Sequence, residues 1–181
     1  MAKSDTGKIL AALGGFLGLI IVLLALIQDL QMLGWWEIVG ENIPFLGRES
    51  GYINAFGYSS NTINEDVEFL EDGTLVFISG IIFVVFCILM IITAIKEEKT
   101  YAIICAIGMF AGMFLFCYAL SANPNLSDAV DIADDFFGGT GNIFYGTATI
   151  LGIDTTWRLG NGFIVAVIAS IIALVGAVKI D

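Results

Sequence analysis

Four stretches of 20 residues or more contain no charged residue, and they decide most of what this chain can fold into: Ile9–Gln28, Leu75–Ile95, Thr100–Ser127 and Leu159–Val178. Twenty or so helical residues reach about 30 Å, the thickness of the hydrocarbon core of a bilayer. A buried helix of a soluble protein seldom runs that far without a polar stripe, and none of the four shows one. Hydrophobic residues make up 58% of the chain and charged ones 14%, whereas soluble domains average about 45–50% and about 25%. The expected class is all-α integral membrane: one membrane domain over residues 1–181 with spans 9–28, 75–95, 101–120 and 159–178. The spans form a four-helix transmembrane bundle, and loops 29–74 and 121–158 build a small external α+β domain.

Lys3 and Lys8 precede the first span as they would in a signal peptide. The apolar run is longer than the usual core of about 7–15 residues, and the bulky "LIQDLQ" after it has no A-x-A-like cleavage site. It is expected to stay as the first span.

Only Lys96-Glu97-Glu98-Lys99-Thr100 separates spans two and three. With four spans, this short loop lies on the same side as both termini. That side carries Lys3, Lys8, Lys96, Lys99 and Lys179, five of the seven basic residues, and Arg48 and Arg158 lie opposite. Because cationic short loops stay inside, both termini are expected in the cytoplasm of a multi-pass protein of the cell or envelope membrane. Loop 29–74 then carries a net charge of −8 and loop 121–158 a net −4 on the outer face. Such a face repels anionic polymers, which excludes nucleic acid, and attracts cations or basic partners.

The outer loops hold readable pieces. Trp35, Trp36 and Trp157 stand next to span ends, where an interfacial aromatic belt is expected. Span two, with Phe83, Phe86, Ile88, Leu89 and Met90, is expected to face lipid most. "GYINAFGYSS" reads as short strands or turns, and "EDVEF" alternates acid and apolar residues. In "NPNLSDAVDIADDFFGG", Leu126, Ala129, Val130, Ala133, Phe136 and Phe137 share one helical face, and Asp128, Asp131, Asp134 and Asp135 the other. This is a short amphipathic helix capped by Asn125 or Ser127 and ended by Gly138-Gly139. "NIFYGTATILGIDTTW" has the composition of one or two strands.

Little in the chain carries chemistry. There is no histidine, and Cys87, Cys105 and Cys117 all lie within predicted spans. No imidazole or thiolate metal site is expected, no cofactor and no catalytic residue; the chain does not read as an enzyme. The acidic clusters lack the order of an EF-hand. Asn125 opens an N-x-[ST] sequon, a candidate glycosylation site.

The spans carry no charge but do carry small residues at helical spacing: Gly14 with Gly18, Gly108 with Gly112, Ala166 with Ser170, and Ala169, Ala173 and Ala177. Such seams allow close helix approach in lipid and point to a homo-oligomer. Membrane lipids, further copies of the chain, and another membrane or surface-layer protein or cations at the acidic face are the expected partners.

Four spans with both termini inside, tryptophans just after span one, a very short cytoplasmic loop and a strand-like segment entering a Gly-rich span four resemble the claudin and peripheral myelin protein superfamily. "LGWW" at Leu33–Trp36 resembles, without matching, the Gly-Leu-Trp signature of that family, whose loop cysteine pair is absent here. The resemblance implies a β-rich external domain on a four-helix bundle and lateral assembly; it carries over no functional residues. Two function classes follow. The first is a structural or interaction protein that self-assembles into an array, junction, envelope layer or scaffold. The alternative is an oligomeric channel with Gln28, Asp29, Gln31 and Asn161 at an acidic outer mouth, for which Thr93, Ser170 and scattered cysteines supply little polar lining through the membrane.

Overall fold

Each of the four uncharged stretches forms a long helix in a computed structural model, which describes residues 2–27, 33–43, 47–61 and 69–180. Helix α1 spans Ala2–Leu24, α2 Thr74–Ile95, α3 Lys99–Ser121 and α5 Asn161–Val178, with a shorter α4 over Pro124–Phe137. All but α4 are long and apolar enough to cross a membrane. The first begins at Ala2 rather than Ile9 and ends at Leu24. Its charged first turns stay helical because Gly7 lies against the Lys179–Ile180 backbone, while Lys8 pairs with Asp5 at 3.3 Å and with Glu97 at 2.6 Å.

Local chemistry sets the helix ends. Asp72 Oδ1 accepts from Thr74 N at 2.8 Å and so satisfies an orphan donor at the start of α2. Glu97, at φ 64°, turns the chain between α2 and α3. Asn123 rather than Asn125 or Ser127 caps α4, accepting from Leu126 N, because Pro124 takes the first helical position. Gly138, at φ 59°, ends the helix in the left-handed conformation.

In the bundle, α1 packs on α5 and α2, and α3 on α2 and α5. Phe83, Met90, Met109 and Phe116 are fully buried along its axis. Of the four, α2 has the smallest buried share, as its sequence leads one to expect, yet Phe83 and Met90 turn inward.

One antiparallel sheet stands at one end of the bundle. Its strands are β1 (Trp36–Ile43), β2 (Gly47–Ile53), β3 (Ser59–Asn61), β4 (Thr140–Asn142), β5 (Tyr145–Ile150) and β6 (Ile153–Leu159), ordered β3-β2-β1-β6-β5-β4. Strand β1 comes from the first long loop and β6 from the second, and they pair from Trp36↔Leu159 to Glu41↔Asp154. The six strands, three from each long loop, form the sheet expected of the small α+β domain. Strand β1 in particular was hidden in "WWEIVGENI", where the tryptophans read as a belt. The hairpin β5–β6 turns at Leu151 (φ 54°) and Gly152 (φ 84°), the two positive angles of a type I′ turn. Of the alternating Glu65–Phe69 stretch, only Phe69 lies among the described residues.

Candidate interaction surface

The sheet continues into the bundle without a hinge. Trp35 N donates to Ile53 O at 2.8 Å, Gly160 N to Trp35 O at 2.8 Å, and Gly162 N to Gly34 O at 3.0 Å. This last contact leaves no room for a side chain, since a Cβ on Gly162 would collide with Leu33 O. Trp35 sits at the junction, fully buried, with its ring edge-on to Phe83, Phe116 and Phe163 at 5.1, 5.0 and 5.6 Å. Its indole nitrogen has no oxygen partner and lies among rings, a setting in which an aromatic face serves as a weak acceptor.

The three tryptophans are therefore not interfacial anchors. An anchor must present its ring to headgroups, and Trp35, Trp36 and Trp157 are 0%, 3% and 5% exposed. Trp36 Nε1 donates to Ile143 O at 2.8 Å and Trp157 Nε1 to Asn142 O at 2.7 Å. Both bonds pin the turn between β4 and β5.

The small-residue seams close the bundle on itself. A Cβ on Gly14 would stand 2.6 Å from Ala169 O, and one on Gly18 would stand 2.8 Å from Cys87 Sγ. Gly108 lies against the Phe86 ring and Gly112 against Phe83. Ala166, Ala169, Ala173 and Ala177 are all fully buried within a single chain. Helix α5 packs on both α1 and α3, with Ala169 and Ala173 against Gly14 of α1. These residues are not free to contact a second copy.

Among the described residues, no polar track follows the bundle. Thr93 Oγ1 donates to Met90 O at 3.1 Å and Ser170 Oγ to Ala166 O at 2.8 Å, so each hydroxyl is satisfied by its own helix. Gln28, Asp29 and Gln31 lie outside the described residues; Asn161 starts α5 and is exposed. Among the described residues, no group of three histidine, cysteine or acidic side chains is placed to hold a metal ion.

What the fold does present is a two-faced sheet. Strand residues alternate between faces, and the registers assign each one. On the helix face, Trp36, Ile38, Ala148, Ile150 and Trp157 lie under α4. Leu126 and Ala133 of α4 are buried there, whereas Ala129 is exposed and Phe136 is 78% exposed, so only part of the predicted apolar face docks. A shallow groove of about 250 Å³ farther along this face includes Glu49, whose Oε1 is buried without a hydrogen-bond partner. Asp128, Asp131, Asp134 and Asp135 point to solvent, and Asn125 is exposed within the first turn of α4.

The opposite face is polar. One row runs Asn142↔Tyr145↔Arg158↔Glu37↔Tyr52, and the next runs Thr140↔Thr147↔Thr156↔Val39↔Ser50. Glu37 is 4% exposed, and Arg158 Nε donates to its Oε1 across the β1–β6 pair. Over β4, β5 and β6 this face is open, with Thr140, Tyr145, Thr147, Thr156 and Arg158 all exposed. They line a groove of about 510 Å³. Apart from Arg158, which entered only through its charge, none of these residues was singled out in the sequence. The signal was there, in the polar residues at every second position of "YGTAT" and "DTTWR".

Among the described residues, the fold and this surface define a class: a bundle of four membrane-length helices that carries one antiparallel sheet, with a helix on one face of the sheet and the other face open over β4, β5 and β6. Compared with known proteins, the chain matches no family model, no curated protein and no solved structure.

Proposed function

We propose that this is a four-span membrane protein of the structural or interaction class, with both termini cytoplasmic and the sheet domain on the outer side. It acts by presenting that domain to other molecules, copies of itself included. The observation that carries this reading is the six-residue pairing of β1 with β6, which makes one rigid plate of two separate loops and joins it to the helices by backbone hydrogen bonds. A plate held that firmly, with acidic α4 on one side and an open polar face on the other, is suited to contact. The claudin-like layout supports the same reading. Assembly, in this view, uses the sheet domain and not the spans, because the small-residue seams are occupied within one chain.

The channel alternative requires a pore between copies, since Trp35 and the phenylalanines around it fill the axis of one bundle. Native mass spectrometry in mild detergent, paired with single-channel recording in planar bilayers, tests the proposal. The expected result is a homo-oligomer without unitary conductance. A strict monomer would remove self-assembly, and reproducible unitary currents would move the protein to the channel class.

A further inference from the structure

The polar groove on the open face has the chemistry of a carbohydrate site, and we propose that it binds a neutral oligosaccharide of about two rings. The proposal rests on the reading of the sheet as the outward contact surface. Thr140, Thr147 and Thr156 stand directly opposite one another on three adjacent strands. Neighbouring strands lie about 4.8 Å apart, so the three hydroxyls make a straight line of about 10 Å. Each hydroxyl both donates and accepts, as each sugar hydroxyl does. None of the three makes a side-chain hydrogen bond to another described residue, unlike Thr149, which donates to Asp154 at 3.1 Å.

Beside this line lies Tyr145, 64% exposed, an aromatic side chain of the kind that stacks on the C–H face of a pyranose. Its strand partner Arg158 has Nε bound to Glu37, and this leaves the outer guanidinium nitrogens to donate into the groove. The groove volume of about 510 Å³ falls in the range of small-ligand sites. Charge selects among glycans. The Arg158 charge is matched by Glu37, and the chain as a whole carries a formal net charge of −11, so a polyanionic glycan is repelled and a neutral one is not.

The test uses the full chain in nanodiscs on an array of neutral and acidic oligosaccharides, followed by titration of the strongest binder. Neutral di- and trisaccharides should bind. Tyr145→Ala should weaken binding by about tenfold or more, the contribution of one stacked ring, while Tyr145→Phe should retain most of it. Thr147→Val with Thr156→Val should also weaken it. Tyr145 is exposed, so its variants should keep the helical and sheet signals of the parent, and circular dichroism on the same samples checks this. Binding restricted to acidic glycans, binding unchanged in Tyr145→Ala, or no binding at all would overturn the proposal. A cysteine at Asp131, probed on intact cells with an impermeant thiol reagent, keeps the two readings apart. Labelling without glycan binding sinks only the site; failure to label sinks the outward sheet itself.

Discussion

Trp35 joins the two halves of the molecule through one side chain. It closes the sheet end of the bundle by edge-on contact with three phenylalanines, while its backbone bonds to β2 and to the start of α5. Trp35→Ala should cost about 3–5 kcal/mol, as other large core truncations do. Trp35→Phe should cost less, since the indole N–H has no oxygen partner to lose. Unfolding of the reconstituted protein in a graded denaturing detergent measures both. Asp72 provides a pH-dependent case. Its bonds to Thr74 hold its carboxyl below the usual carboxylate range. A carboxylate depressed in the folded state stabilises above its unfolded pKa of about 3.9, and that contribution fades as pH falls through the folded value. Asp72→Ala should therefore lower the melting temperature at pH 7 and by less in acid, once the pH has fallen through the folded value. An equal loss at both pH values would show that the carboxylate charge is irrelevant to the cap.

At the scale of elements, the α1–α5 seam is the tightest feature. Ala173 is fully buried against Gly14, so Ala173→Leu forces the two helices apart. It should destabilise the single chain by about 1–3 kcal/mol, the usual cost of overpacking. Phe114→Leu, at a side chain 74% exposed on α3, should change little. If Ala173→Leu alters only oligomer size and leaves the unfolding curve in place, the seam lies between copies after all. The β5–β6 hairpin contains the opposite opportunity. Leu151 is 87% exposed and held at φ 54°, a conformation that asparagine tolerates far better than leucine. Leu151→Asn should raise stability by about 0.5–1 kcal/mol, read as a higher melting temperature.

For the whole molecule, the sheet makes the two long loops one cooperative unit. Thr155 lies in the central strand β6, opposite Gly40 of β1 and Ala148 of β5. A proline there removes a ladder donor where no edge is available. Thr155→Pro should therefore expose both loops to limited proteolysis together, with the four long helices still protected. Cleavage confined to residues 121–158 would show that loop 29–74 folds without its partner.

The division between what was legible in the chain and what was not follows the range of the interactions. The four helices could be read directly because a membrane-length apolar run without charge has few alternatives. Helix α4 was legible for the same local reason, a strong apolar period followed by Gly138-Gly139, although its cap moved to Asn123. The sequence alone also determined the charge asymmetry and the lack of histidine. It did not determine what the tryptophans and small residues touch. A tryptophan beside a span end can anchor at the interface or be buried, and Gly14, Gly18 and Ala173 can pack against their own chain or another. Those choices rest on contacts between residues far apart in the chain, such as Gly14 with Ala173 or Trp36 with Ile143. The threonine row was beyond reach for the same reason. Local pattern sets which face of a strand is polar, but only the registers of β4, β5 and β6 bring Thr140, Thr147 and Thr156 into line.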